Sequence, residues 1–168
     1  MSPKHPDGPE ALIPPFYFIA FLLVVTPTMD FVTSILPLRW DSIEWRFATV
    51  GLLSGFLLTP LLGLIIAMTV AHLARHLRFQ RILAIVNVVI TVSFAALFVL
   101  FMLDVFQLKS VVQEEAVDAF NSAATKAAIK HVAFIIALGW LSYGGFRTSR
   151  WSVRETRRKQ AAIIVGSP

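Results

Sequence analysis

Hydrophobic residues fall along this chain in four long blocks, separated by polar links and followed by a basic tail. The longest uncharged block is FATVGLLSGFLLTPLLGLIIAMTVAHL, residues 47–73, which holds no acid, Lys or Arg over its 27 positions. At about 1.5 Å per helical residue it crosses a hydrocarbon core of roughly 30 Å. The other blocks cover residues 14–36, 82–106 and 129–146. Together they predict an all-α integral membrane protein of four transmembrane helices. Residues 1–13, rich in Pro and polar side chains, read as an N-terminal tail without a cleavage signature, and residues 147–168 as a basic cytoplasmic tail.

Between the third and fourth blocks, residues 107–128 turn polar but keep a helical period. Val111, Val112, Ala116, Phe120, Ala123 and Ala127 fall on one side, with Glu114, Glu115 and Asp118 largely opposite. This predicts an extramembrane amphipathic helix, or a prolongation of the third span. Gly144-Gly145 reads as the stop of the fourth span.

A second pattern runs inside the central block. Gly51, Gly55, Thr59, Gly63, Ala67 and Ala71 recur every four residues, which stacks small side chains on one helix face. Lipid is as apolar as Leu, so helices associate in a bilayer through close backbone approach, which small residues permit. These six are the expected helix-packing face. Asn87, Thr91 and Ala95 form a mildly polar stripe suited to face it. The first two spans each carry a Thr-Pro step near mid-membrane, Thr26-Pro27 and Thr59-Pro60. Proline removes a backbone donor and kinks a helix, so each step is either a structural bend repaired by the Thr hydroxyl or a hinge.

Composition agrees with the pattern: 57% of residues are hydrophobic and only 15% charged. The formal charge of +5 falls in clusters beside apolar spans, so topology and headgroups explain it better than nucleic acid. With no cysteine, disulfide and thiolate chemistry are excluded. Placing both termini in the cytoplasm puts ten cationic residues there: Lys4, Arg75, Arg78, Arg81 and the six from Arg147 to Lys159. Arg39, Arg46, Lys109, Lys126 and Lys130 face the other side, so the positive-inside bias favours both ends in.

Candidate chemistry is sparse. Asp30 is the one acid well inside a span, and an intramembrane carboxylate needs a named partner. Arg46, or Arg39, lies on the same side, so an Asp30–Arg46 ion pair is expected, while Asp104 reads as a solvated helix end beside Lys109. Arg147, Arg150, Arg154, Arg157 and Arg158 beside Trp151 make a juxtamembrane cluster suited to anionic phospholipid headgroups. His72 and His76 share a face at the spacing of zinc ligands, without a third ligand nearby. A lone imidazole also holds the magnesium of a (bacterio)chlorophyll, which marks His72 and His131 as candidate pigment or metal ligands. No cofactor is otherwise implied.

The four-span size and the acid in the first span resemble the small multidrug resistance transporters. The chain departs from them in its greater length, its clear charge bias and its off-centre acid. The core WRFATVGLLSGFLLTPLLGL resembles bacterial membrane proteins of no assigned activity, which implies a bacterial cytoplasmic membrane and no particular chemistry. Two function classes follow. The first is a non-catalytic accessory subunit of a larger integral membrane complex, respiratory or photosynthetic for example, with other membrane subunits and lipids as partners. The second is a small proton-coupled transporter built on Asp30 and the Thr-Pro kinks.

Overall fold

The computed structural model describes the backbone over residues 9–165 and side chains over residues 11–148. Five helices account for it, and no strand occurs among the described residues: α1 Ile13–Ser34, α2 Ile43–Phe56, α3 Leu58–Leu73, α4 Leu77–Lys109 and α5 Val117–Val165. α1, α4 and the stretch Glu114–Thr148 are each long and apolar enough to cross a membrane. α2 and α3 together make a fourth span if a pair bent by 46° is counted as one. Three to four such helices are compatible with a multi-pass membrane protein.

The central block is therefore broken, at Leu57, between Phe56 and Leu58. Pro60 has no N–H to give the Phe56 carbonyl four residues back, so the helical ladder loses a rung there and bends. Pro27 is accommodated differently. α1 runs through it unbroken, with Pro27 buried and the Thr28 hydroxyl donating to the Val24 carbonyl at 2.6 Å. Pro14 and Pro15 sit in the first turn of α1, where missing N–H groups cost least.

The bend distributes the two halves of the central block to different neighbours. α3 packs against α1, while α2 packs mainly against α4 and α5. α4 and α5 form the largest pair, antiparallel, with Gln80 opposite Thr148, Ala84 opposite Gly145, and Phe94 opposite Phe134. Two apolar layers fill the bundle. One joins Val50 and Phe47 of α2 to Phe101 of α4 and to Ala124 and Ala127 of α5. The other joins Leu57, Leu64, Phe134 and Leu138, with Val24 and Phe94 against them.

Small residues set the closest approaches. A Cβ added at Gly63 would lie 2.7 Å from the Ala20 carbonyl oxygen of α1, so only glycine fits there. At Gly145 an added Cβ would lie 2.9 Å from the Ala84 Cβ. This accounts for a difference from the sequence reading. Gly144-Gly145 does not stop the fourth span, because α5 continues to Val165 and Gly145 is used for contact with α4 and α3 instead. The separate amphipathic helix expected over residues 107–128 is also absent. α4 runs on to Lys109, the chain turns through residues 110–113, and Val117 onward belongs to α5. Burial explains the continuity, since Phe120 stacks on Phe47 at 4.9 Å and Ala124 and Ala127 enter the core. Ala123 and Val111, expected on the apolar side, are exposed.

The α3–α4 turn carries the only positive-φ non-glycine among the described residues, Arg75 at φ 54°. His76 N–H donates to the Ala71 carbonyl and Arg75 N–H to the His72 carbonyl. This is a Schellman closure, which usually places glycine at the left-handed position. An arginine there costs about 1 kcal/mol of backbone strain.

Candidate functional site

The polar residues of the bundle concentrate in three places, two of them built by α4. Its residues Gln80, Ala84, Asn87, Thr91, Phe94, Phe98 and Phe101 follow alternating steps of four and three, the spacing that keeps one seam against a neighbouring helix. α5 supplies the matching series Ala124, Ala127, His131, Phe134 and Leu138. Polar side chains at seam positions are consequently enclosed.

At the Arg46 end of the seam, Asp104 is 5% exposed and held by the guanidinium of Arg46, from the first turn of α2. Nη2 donates to Oδ1 at 2.7 Å and Nε to Oδ2 at 3.1 Å, a two-pronged contact, while Nη1 donates to the Trp40 carbonyl at 2.8 Å. This is the one ion pair among the described residues. It corrects the sequence reading twice. Arg46 does not pair with Asp30, and Asp104 is not a solvated helix end. The cause is the bend, which carries α2 away from α1 and toward α4 and α5.

Deeper in the seam, His131 and Asn87 are both fully buried. His131 is enclosed by the rings of Phe94, Phe98 and Phe101, its Nδ1 is 2.9 Å from the Ala127 carbonyl, and its Nε2 has no partner. Hydrogen bonding to a carbonyl places the proton on Nδ1. Neither amide atom of Asn87 has a partner. At the Arg75 end, Gln80 donates to the Thr148 hydroxyl. Of the stripe Asn87, Thr91 and Ala95, Asn87 is enclosed while Thr91 and Ala95 are half-buried, and the Thr91 hydroxyl donates back to the Asn87 carbonyl at 2.6 Å.

The second place is on the opposite flank. Asp30 is exposed on α1, and its side chain lines a groove of about 570 Å³ with Thr26, Pro27, Phe56 and Thr59. Both Thr-Pro steps thus meet at one surface. No cation pairs with Asp30 among the described residues. Gly51 and Gly55 also have open space around them, and Gly55 and Thr59 are exposed. Of the six-residue face, Thr59, Gly63, Ala67 and Ala71 lie on α3, where Gly63 meets α1 and Ala71 is fully enclosed; on α2, an added Cβ at Gly51 or Gly55 would meet nothing within 4 Å among the described residues.

The third place is the α3–α4 turn. His72 is exposed on α3, whereas His76 caps α4, so the two imidazoles do not share a helix face. The Tyr17 hydroxyl is hydrogen-bonded to His76 Nδ1 at 3.1 Å, and the Tyr17 ring meets Phe79 edge-on. No group of three or more His, Asp or Glu side chains is placed to hold a metal ion among the described residues. Arg147 is exposed near the end of the bundle, while the side chains of Arg150, Arg154, Arg157 and Arg158 lie outside the described residues.

Sequence reasoning missed the Arg46–Asp104 pair, the Gln80–Thr148 bond and the Tyr17–His76 contact. A signal for Gln80 and Asn87 existed in the seven-residue spacing that places both on the α4 seam. No protein family matches the sequence, and neither curated proteins nor solved structures yield a significant match. The chemistry on offer at the groove is a carboxylate and two hydroxyls set in apolar surroundings, which accepts hydrogen bonds or a cation.

Proposed function

We propose that this chain is a non-catalytic, four-span subunit of a larger integral membrane complex, seated against another subunit through the groove around Asp30. The observation that carries the reading is the contrast between its two membrane-level carboxylates. Asp104 is satisfied inside the fold, whereas Asp30 is presented on the outer face of α1 with no cation beside it among the described residues. A charged group facing lipid is costly and persists where something outside the chain answers it. Thr59 is exposed in that groove, and the open space at Gly51 and Gly55 on α2 gives a partner helix room to approach. The partner is a membrane-spanning helix that brings a basic or hydroxyl side chain to the level of Asp30.

The charge distribution supports both termini in the cytoplasm, with the tail arginines against anionic headgroups. A bacterial cytoplasmic membrane is the location this reading implies, with no nucleic-acid partner. Extraction in mild detergent tests it: a stable assembly with other membrane subunits is expected, and Asp30→Asn should release the chain from it. A chain that purifies alone under every mild condition would sink the reading.

One observation favours a second function, a small proton-coupled transporter. Thr26, Pro27, Asp30 and Thr59 line a single groove, so a residue of each Thr-Pro step and the carboxylate are available to one ligand. Reconstituted vesicles decide this. Proton-coupled flux that vanishes in Asp30→Asn supports transport, and the absence of flux from the purified chain leaves the subunit reading.

A further inference from the structure

At the Arg75 end of the bundle, a cavity of about 950 Å³ lies between the start of α1 and the close of α3. Leu12, Ile13 and Phe16 line one wall, Leu73 lies on another, and Arg75 and His76 contribute the polar side. The apolar wall is open to its surroundings, with Leu73 75% exposed. Arg78 and Arg81 follow within the next two turns of α4, and Arg147 closes the same end. The seven carboxylates with described side chains lie elsewhere, Asp30 well up α1 and the rest between residues 41–44 or 104–118. Arg75 lines the cavity, and Arg78, Arg81 and Arg147 lie at the same end of the bundle, without a counter-charge among the described side chains.

Arg75 supplies an independent sign. It occupies the left-handed position of the α3–α4 turn, at φ 54°, where glycine would serve the backbone better. Strain of this kind points to a use for the side chain that the turn itself does not require. His76 beside it is fixed by the Tyr17 hydroxyl, and α4 begins at Leu77, so the partial positive charge of a 33-residue helix is directed at the same spot.

We propose that this cavity is a binding site for one anionic phospholipid, its acyl chains along Leu12, Phe16 and Leu73 and its phosphate at Arg75 and the start of α4. The site shares no residue with the Asp30 groove. It rests on the membrane location of the chain and not on its assembly with other subunits.

Native mass spectrometry of the full chain in mild detergent tests it, with titration of phosphatidylglycerol, phosphatidylcholine and inorganic phosphate. The wild-type protein should retain one phosphatidylglycerol in preference to phosphatidylcholine. Arg75→Gly should bind it about tenfold more weakly. The same variant should melt no lower than wild type in lipid-free detergent, because glycine relieves the turn. Arg154→Gln with Arg157→Gln, in the tail, should leave retention intact. Equal retention of both lipids, or unchanged retention by Arg75→Gly, would overturn the proposal. So would protection by inorganic phosphate alone, which would make the site one for the free anion, and so would loss confined to the tail variant.

Discussion

Asp104 and Asp30 are the same side chain on two helices of one bundle, and the chain treats them in opposite ways. Asp104 is buried on α4 and gripped by Arg46 of α2. Asp30 sits where α1 faces outward, beside two threonines and an open groove. The first region has its polar groups placed against each other, as a fold needs in order to be unique. The second leaves a carboxylate without a cation and two glycines with open space beside them among the described residues. The lesson is that charge placement separates what this chain needs for itself from what it offers to others.

The comparison breaks most readily at Gly63, because α1 is held to the bundle chiefly through α3. Gly63→Ala should cost about 1–3 kcal/mol through overpacking against the Ala20 backbone, and Gly63→Leu more. Gly55→Leu should leave the thermal midpoint in detergent unchanged while weakening assembly. Equal losses at both sites would mean that the face of α2 is already covered. Next in size come Asp104→Asn and Arg46→Gln. Each should lower the midpoint by several degrees, and the double variant should recover part of the loss, since the pair is a unit. Additive losses would show that the two groups act separately. Asn87→Leu should raise stability by about 1 kcal/mol, because it removes buried amide atoms that have no partner. A fall instead would reveal internal water bound at that level. Smallest in effect on the fold is Asp30→Asn, which should melt like wild type and fail only in co-purification.

Much of this was legible in sequence, and the limits have physical causes. Long uncharged blocks announce helices because a bilayer leaves the backbone little alternative. Pro60 announced a disturbed helix, and the chain bends three residues before it. The size of that bend was not readable, since neighbouring packing sets it, and the partner of Arg46 depended on the bend. For the same reason the four-residue ladder looked like one continuous face, whereas the break at Leu57 divides it between two environments. Gly145 misled in the other direction. Glycine both ends helices and lets them touch, and only the presence of Ala84 and Met68 across the gap decides which.

The bend has a further consequence for the outline of the molecule. α2 is about 21 Å long, so a turn of 46° carries its far end about 15 Å sideways. Packed helices stand about 8–10 Å apart, so this exceeds one helix position. Near the Arg75 end, α3 stands beside α1; toward the Arg46 end, its continuation has moved across to α4 and α5. The cross-section therefore differs between the two ends of the bundle, and the groove at Asp30 lies where the central block leaves α1. The fold thus carries a sidedness of shape, apart from the uneven spread of its arginines.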